Sequence, residues 1–444
     1  MNLHCLARAR AAEGRPVGVG LIGAGKFGAM FLAQARHCAG LRVAAVADLD
    51  VTGARATLAR TGWPAEAAEA VRLTDDAEAL IASDEVEVVI EATGHPAAGI
   101  RHARACRAAG KHLVMVNVEA DALAGPLLAR EAAQAGLIYS LAYGDQPALI
   151  CELVDWARAS GLEVIAAGKG TKYLPAYHVS TPETVWGHYG LSPEQAAAGG
   201  MNPRMFNSFL DGTKSAIEMA AVANATGLSP APDGLAFPPC GADDLASVLR
   251  PAEEGGVLHH KGQVEVVSSL ERDGSAVARD LRWGVYVVVG APSDYTARCF
   301  FEYGLSADPA SGTAAMYKPY HLIGLELPVS VLSVALRGEP TGAPDGFRAD
   351  VAAVAKRDLA AGEVLDGEGG FMVWGRLLPV ADSLAAGALP IGLAQGLALE
   401  RPVAAGATVT FADLRLDPAD ETLAARREME RVFAPNPCLG GTAP

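Results

Sequence analysis

The stretch Val17-Gly18-Val19-Gly20-Leu21-Ile22-Gly23-Ala24-Gly25-Lys26-Phe27-Gly28 decides the fold. Val17–Ile22 is an apolar run that predicts a buried strand, and the segment 29–38, rich in Ala, Met, Phe and Leu, predicts a helix. Strand, glycine turn and helix are the setting that a dinucleotide fingerprint requires. Gly23 permits the tight turn, Gly25 lets the backbone approach a pyrophosphate, and Gly28 lets the helix pack close to the strand. Lys26 and Phe27 belong to the same candidate cofactor loop. The helix start offers free N–H groups and a positive dipole end to phosphates. A second strand, Leu41–Ala47, ends on Asp48, about twenty residues beyond the glycines, where a carboxylate can bond a ribose 2′-OH. The cofactor reading is NAD or NADP. Asp48 favours NAD by repelling a 2′-phosphate, and Arg55 is the nearby cation that favours NADP. The bland alternative is a plain βα turn in a non-binding domain.

The chain has 444 residues, of which 50% are hydrophobic and 20% charged, so a folded protein of two or three domains is expected. A net charge of −15 argues against general nucleic-acid or anionic-membrane binding. Seven cysteines form no C-x-x-C pair, which fits a reducing, cytoplasmic compartment. Met1–Arg15 lacks the apolar core of a secretory signal. Leu322–Leu336 is too short for a membrane span and contains Glu326 and Pro328.

Strands then alternate with helices, which predicts an α/β fold with a doubly wound parallel sheet over residues 13–147. Val86–Ile90 reads as a buried strand with Thr93 and Gly94 at its C-terminal end, the edge that faces the ligand crevice. His95 precedes a proline there, as a helix-entry residue or an acid/base group. The next strand, His112–Val116, ends at Asn117-Val118-Glu119, and Asn117 and Glu119 join the cofactor-binding candidates. A central α+β domain is expected over 148–340. Its sheet is drawn from Leu162–Ala167, Val264–Ser268, Gly284–Val289 and a segment near Ala297–Tyr303, and a helix spans Phe209–Thr226. Pro319–Gly324 opens a further helix. Gly338–Gly346 is a linker, and a β-rich unit follows over 349–417. Asn436–Pro444 are expected to be frayed.

Hydride transfer requires a group that polarises a carbonyl and manages one proton, and lysine serves both tasks. Lys214 opens a nearly apolar helix, so it is expected to be buried and to need a reason. Asp211, Ser215 and Glu218 lie at near-helical spacing around it. The alternative is a solvated lysine on a surface helix. Lys172 and Lys169 stand in the polar run Gly168–Pro182. With Thr171, His178 and Ser180 that run supplies the donors that an oxygen-rich anionic substrate needs. Arg204, Asn207 and Ser208 precede the Lys214 helix and are substrate-binding candidates. His321 is a candidate acid/base or substrate contact, or a satisfied core histidine. Glu119, Asp145 and Glu152 are the acids that a divalent metal would use, but no cluster has metal-ligand spacing and no metal site is assigned.

With these residues in view, the chain resembles the deoxyxylulose-phosphate-reductoisomerase-like oxidoreductases, relatives of homoserine dehydrogenase with a C-terminal SAF domain of β-clip fold. Gly168–Pro175 and Phe206–Ser215 are similar to that family's catalytic-domain signatures. Ala355–Leu359, Ala361–Glu363, Leu389–Leu393 and Arg401–Val403 with Gly406 resemble its SAF domain. The resemblance implies NAD(P)-dependent, in one branch NADPH-dependent, oxidoreduction of a small polyoxygenated substrate by a homo-oligomer. In that branch 1-deoxy-D-xylulose 5-phosphate becomes 2-C-methyl-D-erythritol 4-phosphate, an early isoprenoid step. It also implies that the helix of Asp211 and Lys214 corresponds to the catalytic Asp/Lys helix of homoserine dehydrogenases; with Lys172, the second carbonyl-polarising lysine read from the residues, Lys214 and Asp211 are the catalytic candidates. Homoserine dehydrogenases carry an Asn-Lys pair where this chain has Asn117-Val118, so homoserine oxidation is not expected. The rival readings are a plain dehydrogenase or oxidoisomerase of a sugar acid or polyol, and a non-enzymatic nucleotide-binding redox or metabolite sensor.

Overall fold

The computed structural model describes residues 2–433. Cys438 and the expected frayed segment 436–444 lie outside the described residues. The first sheet has six parallel strands: β1 (Val17–Ile22), β2 (Leu41–Ala47), β3 (Arg72–Thr74), β4 (Val88–Glu91), β5 (His112–Met115) and β6 (Tyr139–Leu141). Their order is β3-β2-β1-β4-β5-β6. The strand order reverses between β1 and β4, which opens a ligand crevice at the C-terminal edge. All six residues of β1 are buried, as its unbroken apolar run requires when helices cover both faces.

The second sheet is mixed, in the order β10-β11-β9-β7-β8. Its strands are β7 (Glu163–Thr171), β8 (Gln263–Ser268), β9 (Val285–Gly290), β10 (Ser306–Asp308) and β11 (Thr313–Lys318). Ala297–Tyr303, expected as a strand, falls in the helix Asp294–Glu302, which Ser293 caps through Thr296 N–H. The helix expected over Phe209–Thr226 is two helices, Pro203–Leu210 and Thr213–Thr226. They part at Gly212, whose φ of 91° is left-handed and is readily adopted by glycine.

The C-terminal β-rich unit pairs β12 (Ala349–Ala355) with β14 (Val373–Pro379), and β13 (Val364–Asp366) with β15 (Gln395–Ala398). It shares one apolar core with the helix Thr213–Thr226, in which Ile217, Met219 and Val222 meet Val351, Val373 and Leu389.

Two segments return to the first sheet. The helix expected to open at Pro319 begins at Pro328 and ends at Arg337. Its Val331 and Val334 join Val17, Val19 and Ile90 in one core, so the 148–340 boundary fails at its C-terminal end. The final helix, Glu421–Phe433, buries Ala425 among residues of the first unit. Arg104 ties it there by bonding Glu131 at 2.9 Å and Glu428 at 2.8 Å. Among the described residues no helix is long and apolar enough to cross a membrane, and six cysteines are free thiols.

Candidate active site

The glycine loop has the shape a dinucleotide needs. Gly23 has a φ of 97°, and a Cβ there would lie 2.7 Å from Ala92 O. No atom stands within 4 Å of where a Gly25 Cβ would be, so that backbone is open to an approaching phosphate. Gly28 would clash with Gly23 O at 2.3 Å if it carried a Cβ. Lys26 starts the helix Lys26–Ala35 and is exposed; Phe27 packs against the core behind it. Asp48 Oδ2 accepts Ala24 N–H at 2.7 Å, which fixes its carboxylate beside the loop. These residues fit a dinucleotide on their geometry alone.

At the end of β4, Thr93 and Gly94 are exposed. Thr93 Oγ1 donates to Glu91 at 2.5 Å and accepts from Asn117 Nδ2 at 3.3 Å. Asn117 is buried, also donates to His95 O at 3.0 Å, and accepts Ala120 N–H at 3.0 Å. Its side chain therefore braces two strand ends. His95 caps the helix Pro96–Ala108, the helix-entry role that its neighbouring proline suggests.

Glu119 and Asp145 mark the next two strand ends. Glu119 lies on the first turn of the helix Val118–Gln134, after β5. Asp145 caps the helix Gln146–Ala159, after β6. Lys214, from the central unit, hydrogen-bonds Glu119 directly, with side chains 17% and 13% exposed respectively. Burial presses the Lys214 ammonium down, but Glu119, Glu368, Glu218 and Asp145 outweigh it and hold it above the usual lysine value. Burial and Glu218 push Asp145 up to about 6, against Lys214, His321 and the Gln146 N–H. Burial and Glu119 push Glu368 up to about 7, against Lys214 and a hydrogen bond from Ser208. A lysine ringed by acids from all three units is thus set at the edge where the nucleotide groove opens. The expected partners of Lys214 at helical spacing are otherwise placed: it bonds Glu119, not Asp211 or Ser215.

Lys169 is not in a loop. β7 runs through Thr171, and Gly168 and Gly170 allow close backbone approach, since a Cβ on either would meet the carbonyls of Glu265 or Leu281 within 2.0 Å. Lys169 is buried, bonds Gln146 Oε1 at 2.8 Å and pairs with Glu218. It sits behind Lys214 through the shared carboxylate of Glu218. Thr171 ends the strand, half-buried. Lys172 is separated from this group: it donates to His188 O at 2.5 Å and lies 5.5 Å from the Tyr189 ring centroid. Burial and Arg282 lower its pKa. His321 lies outside any helix and bonds Trp283 O through Nδ1 at 2.7 Å.

The remaining candidates hold the C-terminal unit. Asp211, fully buried, bonds Lys356 at 2.8 Å, and Lys356 also donates to Ser180 O and Gly370 O. Arg204 donates to Asp366 O. Asn207 donates to Ser180 O and Gly369 O at 3.1 and 3.0 Å and accepts Ser180 Oγ at 2.7 Å. Ser208 donates to Glu368. His178 stacks on Trp374 with centroids 3.8 Å apart and bonds Asp211 O. Asp211, His178, Ser180, Arg204, Asn207 and Ser208 therefore form a docking seam between the central and C-terminal units. The metal grouping of Glu119, Asp145 and Glu152 does not assemble: Glu152 bonds Lys318 at 2.5 Å and Tyr143 at 2.8 Å. Among the described residues no three His, Cys, Asp or Glu side chains are grouped to hold a metal.

Glu368, Lys356 and Gln146 are the site and seam residues that sequence reasoning leaves without a role. A signal for the first exists in Asp366-Gly367-Glu368-Gly369-Gly370, where an acid sits among glycines. Gly369 lies so close to the helix Pro203–Leu210 that a Cβ would stand 2.1 Å from Arg204 O.

Two family models match the chain: the NAD-binding domain of homoserine dehydrogenase over residues 18–140, and the catalytic domain of oxidoreductase DRL over residues 144–327. No curated protein matches. Among solved structures, myo-inositol dehydrogenase from Lactobacillus casei, in complex with NAD(H) and myo-inositol, is 14% identical over 38% of this chain and 50% of its own, with a TM-score of 0.29. An NAD-binding oxidoreductase from Klebsiella pneumoniae is 22% identical over 37% of this chain and 45% of its own, at 0.29. An oxidoreductase from Agrobacterium radiobacter, in complex with NAD+, L-tartaric acid and magnesium, is 18% identical over 35% and 44%, at 0.28. The chain thus spans half or less of the length of these proteins. The chain is similar in its first unit to the NAD-binding domain of homoserine dehydrogenase and in its central unit to the catalytic domain of oxidoreductase DRL.

Proposed function

We propose that the protein is a dehydrogenase of a small, anionic, polyoxygenated substrate such as a sugar acid, polyol or sugar phosphate, with Lys214 at its reaction centre. The observation that carries this reading is the pairing of Lys214 with Glu119 at the C-terminal edge of β5, the edge where ligands of open α/β sheets bind. Gly23, Gly25, Gly28 and the start of the helix Lys26–Ala35 hold the dinucleotide, with Asp48 on the ribose. When bound, the nicotinamide supplies hydride transfer. Lys214 stays an ammonium through neutral pH and hydrogen-bonds the substrate oxygen, stabilising the charge that develops there. Glu119 orients it. Asp145 and Glu368, whose carboxyls change charge near neutrality, accept or return the proton. Lys169 holds Glu218 in place behind them.

The reductoisomerase reading, on 1-deoxy-D-xylulose 5-phosphate, rests on the family resemblance of the Phe206–Ser215 signature. Most of that signature serves the docking seam, and this favours the plain dehydrogenase. A cytoplasmic homo-oligomer, NAD as preferred cofactor, and a SAF-like role for residues 349–417 complete the proposal. The test is a cofactor-absorbance assay with NADH, NADPH, NAD+ and NADP+ against 1-deoxy-D-xylulose 5-phosphate and a panel of sugar acids, polyols and their phosphates, with and without Mg²⁺ or Mn²⁺. Turnover on a panel member is expected. Tight nucleotide binding with no turnover on any would favour the sensor.

A further inference from the structure

Across the helix Thr213–Thr226 from Lys214, a cavity of about 150 Å³ opens between the central and C-terminal units. That is the volume of an engineered cavity that admits benzene. Gly212 and Ala216 line it. They lie four residues apart and share one side of the helix, whereas Lys214, two residues from each, projects to the opposite side. The cavity is therefore separate from the site described above.

Its walls are aromatic. Trp374 is stacked on His178, and Phe237 is stacked on Tyr173 at 3.9 Å between centroids. Leu235 and Leu377 add apolar surface. Its charged groups are Arg376 and Asp233. The Arg376 guanidinium lies 5.4 Å from the Trp374 centroid, and no described carboxylate stands within ion-pair distance of it. Asp233 is exposed at the rim. Of the other nearby cations, Lys356 is neutralised by Asp211, and Arg272, 5.8 Å from the Tyr173 ring centroid outside the cavity lining, donates to Ala236 O at 3.0 Å. Burial, with Arg376 and Lys356, keeps His178 below its ordinary pKa against the hydrogen bond to Asp211 O, so Arg376 supplies the positive charge of the cavity.

We propose that this cavity is a ligand site for a small planar carboxylate, its acid group on Arg376 and its flat body against Trp374 and Phe237. A guanidinium held over an indole keeps its planar fork of N–H donors, which matches a carboxylate. Aromatic walls favour a flat body over a bulky aliphatic one. The volume limits the ligand to roughly one ring with its substituent. Contact with Gly212 and Ala216 places the occupant against the first turn of the helix that carries Lys214, so the site is positioned to regulate the reaction.

The test is calorimetric titration of the full-length protein with benzoate and nicotinate, and with uncharged benzamide as the control. Saturable binding of a carboxylate probe is expected, at least tenfold weaker for benzamide. Arg376→Met and, independently, Leu235→Trp, which fills the cavity, each weaken it more than tenfold. Lys214→Ala leaves it unchanged. The proposal is overturned by the absence of saturable binding up to about 10 mM, by binding that survives both cavity variants, or by binding that Lys214→Ala abolishes.

Discussion

Lys356 of the C-terminal unit and Asp211 of the central unit form an ion pair at 2.8 Å with both side chains buried, 2% and 0% exposed. Removing one partner of such a pair leaves a buried charge uncompensated, which costs about 3–5 kcal/mol. Lys356→Met is therefore expected to lower the unfolding free energy by that order in denaturant titrations. The double variant with Asp211→Asn recovers part of the loss. An unchanged midpoint in Lys356→Met would remove the docking role assigned to Asp211.

Asp48 is the residue proposed to set cofactor preference. Its carboxylate is held beside the glycine loop by Ala24 N–H, where it repels a 2′-phosphate. Asp48→Ser is expected to shift the ratio of kcat/KM for NAD over NADP by about tenfold or more toward NADP, a change of about 1.4 kcal/mol. Steady-state kinetics with both cofactors checks this; an unchanged ratio counts against Asp48.

Glu368 carries a pH signature. Burial and Glu119 raise its carboxyl to about 7, so it loses its proton near neutrality. The kcat/KM profile is expected to show an inflection near pH 7 that disappears in Glu368→Gln, while nucleotide affinity stays within about twofold. A profile identical in both proteins assigns the inflection elsewhere.

Asp121 makes stability fall with pH. It is fully buried; Oδ1 accepts the Tyr139 hydroxyl at 2.8 Å and Oδ2 has no partner. Burial, opposed by that hydrogen bond, raises it to about 7. A carboxyl raised in the folded state binds its proton more tightly there than in the unfolded chain. Its contribution is whole below the unfolded value near 4 and is lost as pH rises toward about 7. The loss is on the order of 4 kcal/mol. Asp121→Asn is expected to gain Tm relative to the parent between pH 5 and pH 8, and a constant difference would contradict this.

The nucleotide-binding unit was legible because its signals are local. A strand, a glycine turn, a helix and Asp48 lie within one short stretch, and the apolar runs of β1, β4 and β5 are nearly continuous. Lys214 was legible as a charge opening an apolar helix. The partners of the Arg204–Ser215 run lie far along the chain: Arg204, Asn207 and Ser208 donate to Asp366 O, Gly369 O and Glu368, and Asp211 accepts from Lys356. Polar groups buried against a distant unit look the same in sequence as polar groups awaiting a ligand. Gly168 and Gly170, which flank Lys169 in the polar run, serve close packing within β7. Pro328–Arg337 reads as part of the central unit in sequence but packs on the first sheet, because amphipathic spacing reports a buried face and not the surface that covers it.

The central claim is that Lys214 is the group the reaction cannot do without. The most direct measurement compares the parent protein with Lys214→Ala, on whichever panel compound the parent turns over, with nucleotide affinity measured by fluorescence in parallel. The account predicts a fall in kcat of about 10²–10⁴ with nucleotide affinity retained. Turnover within a few-fold of the parent would contradict it.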